Sequence, residues 1–161
     1  MELVKIVNGE YKNRDALSNV IHYITNPEKT EHYIGAIGVN PYDPQKMVDQ
    51  MLLVKKVFGK EDGHRNVRHF IISFDKKDHI TPEEAQWIAE DVAKFYSSRY
   101  QICYGVHLNT DDLHIHFALN TVSFIDGKLF SEGWMELERL KRHVHSVVLK
   151  YRPGKPGAIF D

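Results

Sequence analysis

Two stretches of alternating apolar and non-apolar residues, joined by four polar ones, constrain this chain more than any other feature. Across residues 100–109, Ile102, Tyr104, Val106 and Leu108 alternate with Cys103, Gly105 and His107. Across residues 113–122, Leu113, Ile115, Phe117 and Leu119 alternate with His114, His116, Ala118 and Asn120. Successive side chains of a strand point to opposite faces of its sheet, so this period of two predicts two half-buried β-strands. The linker Asn109-Thr110-Asp111-Asp112 suits a hairpin, and pairing across it sets His107 opposite His114 and Gly105 opposite His116. Three imidazoles then share one face, and Gly105 leaves space beside His116. Neutral imidazole is the commonest metal-ligating side chain. A catalytic ion held by three protein ligands keeps further positions for a substrate oxygen. The spacing His-x6-His-x-His therefore makes His107, His114 and His116 a candidate metal site. The competing reading, polar residues on a solvated sheet face, suits any one of these histidines better than all three together.

The rest of the chain supplies helices and further strands. An extended run covers residues 3–7, and Ala16, Leu17, Val20, Ile21 and Ile24 form one face of a helix that Asn13 caps and Pro27 ends. That helix carries His22 and Tyr23. A strand at residues 33–39 precedes a helix capped by Asp43, with Pro44 in its first turn and Gly59 just past its end. In the strand 68–74, Phe70, Ile72 and Phe74 face one way and His69, Ile71 and Ser73 the other. Thr81-Pro82-Glu83-Glu84 is a capping box opening a helix striped by Ala85, Ile88, Ala89 and Val92. A last helix turns Trp134, Leu137, Leu140, Val144, Val147 and Val148 inward. Helices and strands interleaved around an antiparallel hairpin predict an α+β fold, a central antiparallel sheet with helices packed on one face.

Composition bounds the function. With 161 residues, 42% of them hydrophobic and 27% charged, the chain suits one domain spanning 1–161, with a Pro- and Gly-rich tail from about residue 152. A single cysteine, Cys103, allows no internal disulfide, which suits the cytoplasm. No apolar run approaches the roughly 18 residues of a membrane span, and the start lacks a signal-peptide pattern. The net charge of −1 argues against a nucleic-acid partner. Residues 139–155 nevertheless carry Arg139, Lys141, Arg142, Lys150, Arg152 and Lys155 without an acid, either a local basic face or a solvated helix face. His143 and His145 read as surface residues, while His69 shares a face with Ser73.

Three segments together resemble the relaxases of the HUH endonuclease superfamily, of the type with a single tyrosine near the N-terminus. The third motif of that family is similar to His107-Leu108-Asn109-Thr110-Asp111-Asp112-Leu113-His114-Ile115-His116-Phe117-Ala118-Leu119-Asn120. The second is similar to Phe70-Ile71-Ile72-Ser73-Phe74, and the first to the helix end Val20-Ile21-His22-Tyr23-Ile24-Thr25-Asn26-Pro27-Glu28-Lys29. The motifs occur in the family's order over residues 20–125. The resemblance implies an HUH-type relaxase fold, with the active site on the sheet face opposite the helices. It implies Tyr23 as nucleophile, His107, His114 and His116 as metal ligands, and Ser73 and Asn120 as DNA contacts. It gives Asp111 the part of orienting or polarising a histidine. Many relatives carry an acid at the position of Asn109, so the proton acceptor is left unassigned.

The implied activity is metal-dependent nicking and rejoining of single-stranded DNA at the nic site of an origin of transfer, in plasmid or conjugative-element mobilisation. Transesterification to a side-chain oxygen conserves the bond energy that hydrolysis would lose. Tyrosine supplies that oxygen, although an ordinary pKa of about 10 makes it a weak nucleophile unless a base or cation assists. The resemblance implies Mg2+ or Mn2+, with Zn2+ also compatible with three histidines. Implied partners are single-stranded DNA and relaxosome accessory proteins, with no membrane. Replication initiators and transposases of the same superfamily are the nearest alternative, but there the tyrosine usually follows the histidine motif. A non-catalytic DNA-binding module and a structural metal protein are the others. Tyr11, Tyr33 and Tyr104 are the rivals to Tyr23.

Overall fold

The structure is a computed structural model describing residues 2–152. The Pro- and Gly-rich segment from 153 onward, with Lys155, lies outside the described residues. The elements are β1 (Glu2–Ile6), α1 (Ala16–Ile24), a single turn α2 (Pro27–Thr30), β2 (Ile34–Ile37), α3 (Pro44–Val57) and β3 (Val67–Phe74). A 3-10 turn (Lys76–Asp78), α4 (Pro82–Ala93), β4 (Ile102–His107), β5 (His114–Asn120) and α5 (Trp134–Tyr151) complete them. One antiparallel sheet contains all five strands in the order β1-β3-β5-β4-β2. The α+β class and the central antiparallel sheet are as expected from the sequence.

Local signals place the helix starts. The Asp43 side chain accepts from Lys46 N, with Pro44 at the first helical position. The Thr81–Glu84 capping box makes both of its reciprocal bonds. Asn13, expected to cap α1, contributes only its carbonyl, which accepts from Ala16 N at 3.2 Å and from Asn66 Nδ2 at 2.9 Å. Pro27 follows the end of α1 as expected and also opens α2, where Asn26 caps through its side chain to Glu28 N. Trp134 does not face inward: it is 77% exposed, because the buried stripe of α5 begins only at Leu140.

Helices cover both faces of the sheet, correcting the one-face arrangement. Phe70, Ile72, Phe74, Ile102, Tyr104, Val106, Ile115, Phe117 and Leu119 pack against α4 and α5. The directly paired Phe70 and Phe117 stack there with ring centroids 4.5 Å apart. On the other face, Leu17, Val20, Ile21 and Ile24 of α1 and Met47, Val48 and Met51 of α3 pack over Val67, Cys103 and Ala118. The small side chains of Cys103 and Ala118 form the shallow floor on which these two apolar stripes are buried. An apolar helix stripe must be covered, and the first face is already occupied.

One charge lies inside this second layer. Lys55 of α3 is only 1% exposed, and its ammonium donates to Thr121 Oγ1 at 3.4 Å. No ion pair among the described residues includes it. Burial pushes its pKa down from 10.5 to about 8. The native chain therefore loses this proton at lower pH than the unfolded chain, so stability should rise as pH increases from about 8 to 10.5. Below that window the penalty is about 3 kcal/mol. Lys55→Met is expected to raise the unfolding free energy at pH 7 by up to that amount and to flatten the alkaline rise, both read by urea titration.

Candidate active site

The hairpin register is the one read from the sequence: His107 pairs with His114 and Gly105 with His116. The rings of His107 and His116 stack with centroids 3.9 Å apart, and His114 meets His116 edge-on at 6.3 Å. His107 and His116 are buried and His114 is half-buried. Tyr23, in the last turn of α1, is 46% exposed and presents its ring to His107 at 5.5 Å and His116 at 5.7 Å. Gly105 permits this approach, because a Cβ there would lie 1.9 Å from the carbonyl oxygen of Ile24. The space beside Gly105 is thus occupied by the backbone of α1, not kept open for a ligand. The Ile24 carbonyl also accepts from His107 Nε2 at 3.0 Å, tying the helix end to the histidine face. Leu108 N donates to Lys29 O at 2.7 Å, holding α2 at the same edge with the Lys29 ammonium 5.2 Å from the Tyr23 ring centroid.

Hydrogen bonds select tautomers. A carbonyl only accepts, so His107 carries its proton on Nε2 and keeps Nδ1 basic. Thr110 Oγ1 donates to Asp112 O at 2.6 Å and is therefore the acceptor for His114 Nδ1 at 3.2 Å, which keeps His114 Nε2 basic. His116 Nδ1 lies 3.0 Å from Nε2 of a fourth histidine, His69. Burial, with smaller contributions from neighbouring cations and histidines, pushes His116 down to about 2 and also lowers His107. Both are neutral at pH 7, the form that ligates metal. Donor type, neutrality and the shared face all fit a divalent ion. As the rings stand, no three such side chains among the described residues are grouped to hold one, so binding would require them to turn together.

The rival tyrosines are otherwise engaged. Tyr33 and Tyr104 donate to Glu83 and Glu90, each at 2.6 Å, and Tyr104 is buried on the other face of the sheet. Tyr11 lies 3.4 Å from His69 Nδ1. Among the described tyrosines only Tyr23 meets two of the three motif histidines, edge-on to both.

Residues 23–152 match the family described as "Relaxase: MobA/VirD2-like, nuclease domain". The chain belongs to that family. It is similar to a protein named rlx from Staphylococcus aureus, 26% identical over 102 residues, covering 63% of this chain and 30% of that protein. It is also similar to the group II intron-interrupted relaxase LtrB of Lactococcus lactis subsp. cremoris, 25% identical over 156 residues, 80% of this chain and 27% of that one. The chain thus spans about a third or less of these two relatives.

Within this relaxase domain the remaining expected residues separate. Ser73 pairs with His114 across β3 and β5 and is half-buried on the histidine face, so it stands beside the site. Asn120 does not. It is fully buried, its amide donates to Met51 O and Gln101 Oε1, and its oxygen accepts from Val122 N, which leaves no surface for DNA. Asp111 is exposed and makes no hydrogen bond to a histidine among the described residues; Thr110 holds His114 instead. The basic stretch of α5 lies away from the site. Arg139, Lys141, Lys150 and Arg152 pair with Glu136, Glu138, Asp91 and Glu84, and α5 packs on the sheet face away from the histidines. His143 and His145, expected at the surface, are half-buried against Asp91 O and Glu2. The roles of Lys29, Thr110, Tyr11 and His69 escaped the sequence reading; for His69 the only signal was the face it shares with Ser73.

Among the described residues no helix is long and apolar enough to cross a membrane.

Proposed function

We propose that this domain nicks and rejoins single-stranded DNA at an origin-of-transfer nic site by transesterification, with Tyr23 as nucleophile and a 5′-phosphotyrosine intermediate, in plasmid or conjugative-element mobilisation. The observation that carries the reading is the half-exposed Tyr23 set edge-on against His107 and His116, inside a chain that matches the relaxase nuclease family. The Tyr23 oxygen would form a bond to the scissile phosphorus as the bond to the 3′ oxygen breaks. The phenolic proton leaves to solvent, which the exposure of Tyr23 permits, and the departing 3′ oxygen takes one up. Lys29, beside the Tyr23 ring, would offset the charge of a phosphate bound there. Ser73, paired with His114 across β3 and β5, would donate to a phosphate oxygen. His107, His114 and His116 are the residues that would hold one divalent ion, Mg2+ or Mn2+ in preference to Zn2+. When bound, such an ion supplies Lewis-acid stabilisation of charge on a non-bridging phosphate oxygen. Attack by another 3′ hydroxyl would reverse the reaction and release Tyr23. Accessory proteins of a relaxosome and a cytoplasmic site of action complete the proposal.

The test incubates the 161-residue chain with Mn2+ and a randomised single-stranded oligonucleotide library, isolates DNA that stays attached to protein under denaturing conditions, and sequences it. The expected product is an adduct sharing one 5′-terminal sequence context, absent with chelator and reduced at least about 100-fold in His114→Ala. Retention of DNA without an adduct would replace the enzyme with a binding module.

A further inference from the structure

The contact between His116 and His69 belongs to a longer, built arrangement. Both histidines are only 6% exposed, and their nitrogens meet at 3.0 Å. The other nitrogen of His69, Nδ1, faces the Tyr11 hydroxyl at 3.4 Å. Tyr11 reaches that place through an uncommon backbone, with φ of +47° in the left-handed region. Asn66 fixes the turn: its backbone N–H donates to Tyr11 O at 2.8 Å, and its side-chain amide donates to Lys12 O and Asn13 O. Gly9 makes room for the ring, since a Cβ there would lie 2.6 Å from Tyr11 Cζ. Three separate local features thus hold one phenol against one buried imidazole.

We propose that Tyr11 and His69 are positioning residues that fix the proton of His116 on Nδ1, so that His116 offers its Nε2 to the site. This rests on the reading of His107, His114 and His116 as a metal site. The bonds at His107 and His114 already leave each of those rings one basic nitrogen. His116 matches them only if its Nδ1–H donates to His69 Nε2, and His69 can accept there only if its own proton is on Nδ1, donated to the Tyr11 oxygen. Removing the Tyr11 hydroxyl leaves a buried N–H unsatisfied on His69. The His69 proton then moves to Nε2, donates to His116 Nδ1 and drives the His116 proton onto Nε2, where it blocks ligation. A hydrogen bond to the second nitrogen of a ligating histidine characteristically orients that ligand and raises its affinity.

Long-range 1H–15N spectra of the histidine rings in the metal-free chain, with His116 assigned by its loss in His116→Ala, read the tautomer directly. The expected result is a proton on His116 Nδ1 in the wild type, transferred to Nε2 in Tyr11→Phe and His69→Ala. A wild-type proton on Nε2, or an unchanged tautomer in both variants, overturns the proposal. Calorimetric titration with Mn2+ gives the second readout: roughly 10–100-fold weaker binding in His69→Ala, partly restored in His69→Gln, whose side-chain oxygen again accepts. Equal Mn2+ affinity in wild type and His69→Ala at unchanged melting temperature also overturns it. A wild type that shows the expected tautomers but takes up no Mn2+ would instead overturn the metal reading and leave the hydrogen-bonded relay standing.

Discussion

Tyr23→Phe is expected to abolish the covalent protein–DNA product, a loss of roughly a thousand-fold or more, while leaving stability within about 0.5 kcal/mol of wild type. The ring that faces His107 and His116, and over which Lys29 sits, is retained; only the hydroxyl is lost. DNA retention should therefore persist when the adduct disappears, and a denaturing gel beside a filter-binding measurement separates the two. An adduct that survives would require another nucleophile. Tyr11 would then be the candidate, since its hydroxyl lies on the histidine network while those of Tyr33 and Tyr104 are bonded to Glu83 and Glu90. Mass-spectrometric mapping of the DNA-linked peptide to Tyr23 assigns the nucleophile.

Gly105→Ala is expected to be as damaging for a different reason. Its Cβ would stand 1.9 Å from Ile24 O and 2.9 Å from Ile24 C, atoms of the backbone that no rotamer change can move. Either α1 is pushed off the sheet or β4 is displaced beneath it, an overpacking cost of about 3 kcal/mol. The same shift would stretch the bond from His107 Nε2 to Ile24 O and carry Tyr23 away from His107 and His116. Misplacement of a reacting group by about 1 Å costs on the order of 100-fold in rate, so nicking should fall by at least that factor even where the variant remains folded. Urea unfolding and adduct yield, measured together, check both parts. Gly133→Ala is the control, because a Cβ there meets nothing within 4 Å. Wild-type stability and adduct yield in Gly105→Ala would show that α1 does not need its close seat on β4.

Much of the site was legible because it depends on local rules. Strand alternation and a four-residue turn are enough to bring His107 opposite His114, since pairing follows from chain geometry before any packing is known. The caps at Asp43 and Thr81 are equally local. Asn120 shows the limit. Its place in the alternation puts it on the histidine face, but α3 closes over that end of the face, and Met51 and Gln101 take up its amide. The same holds for Asp111 and Thr110. Both sit in the hairpin turn, and only the actual path of that turn decides which one reaches His114.

By itself the sequence determined the strands, the starts of α3 and α4, the hairpin register and the motif set that resembles the relaxases, because each is set by neighbours within a few residues or by a period along the chain. Only the tertiary structure decided that α1 and α3 cover the second face, that Gly105 is filled by a backbone carbonyl, and that His69 and Tyr11 join the histidines. An apolar stripe specifies that a helix face must be buried, but not against which surface. A polar side chain likewise has no partner until distant segments have packed around it.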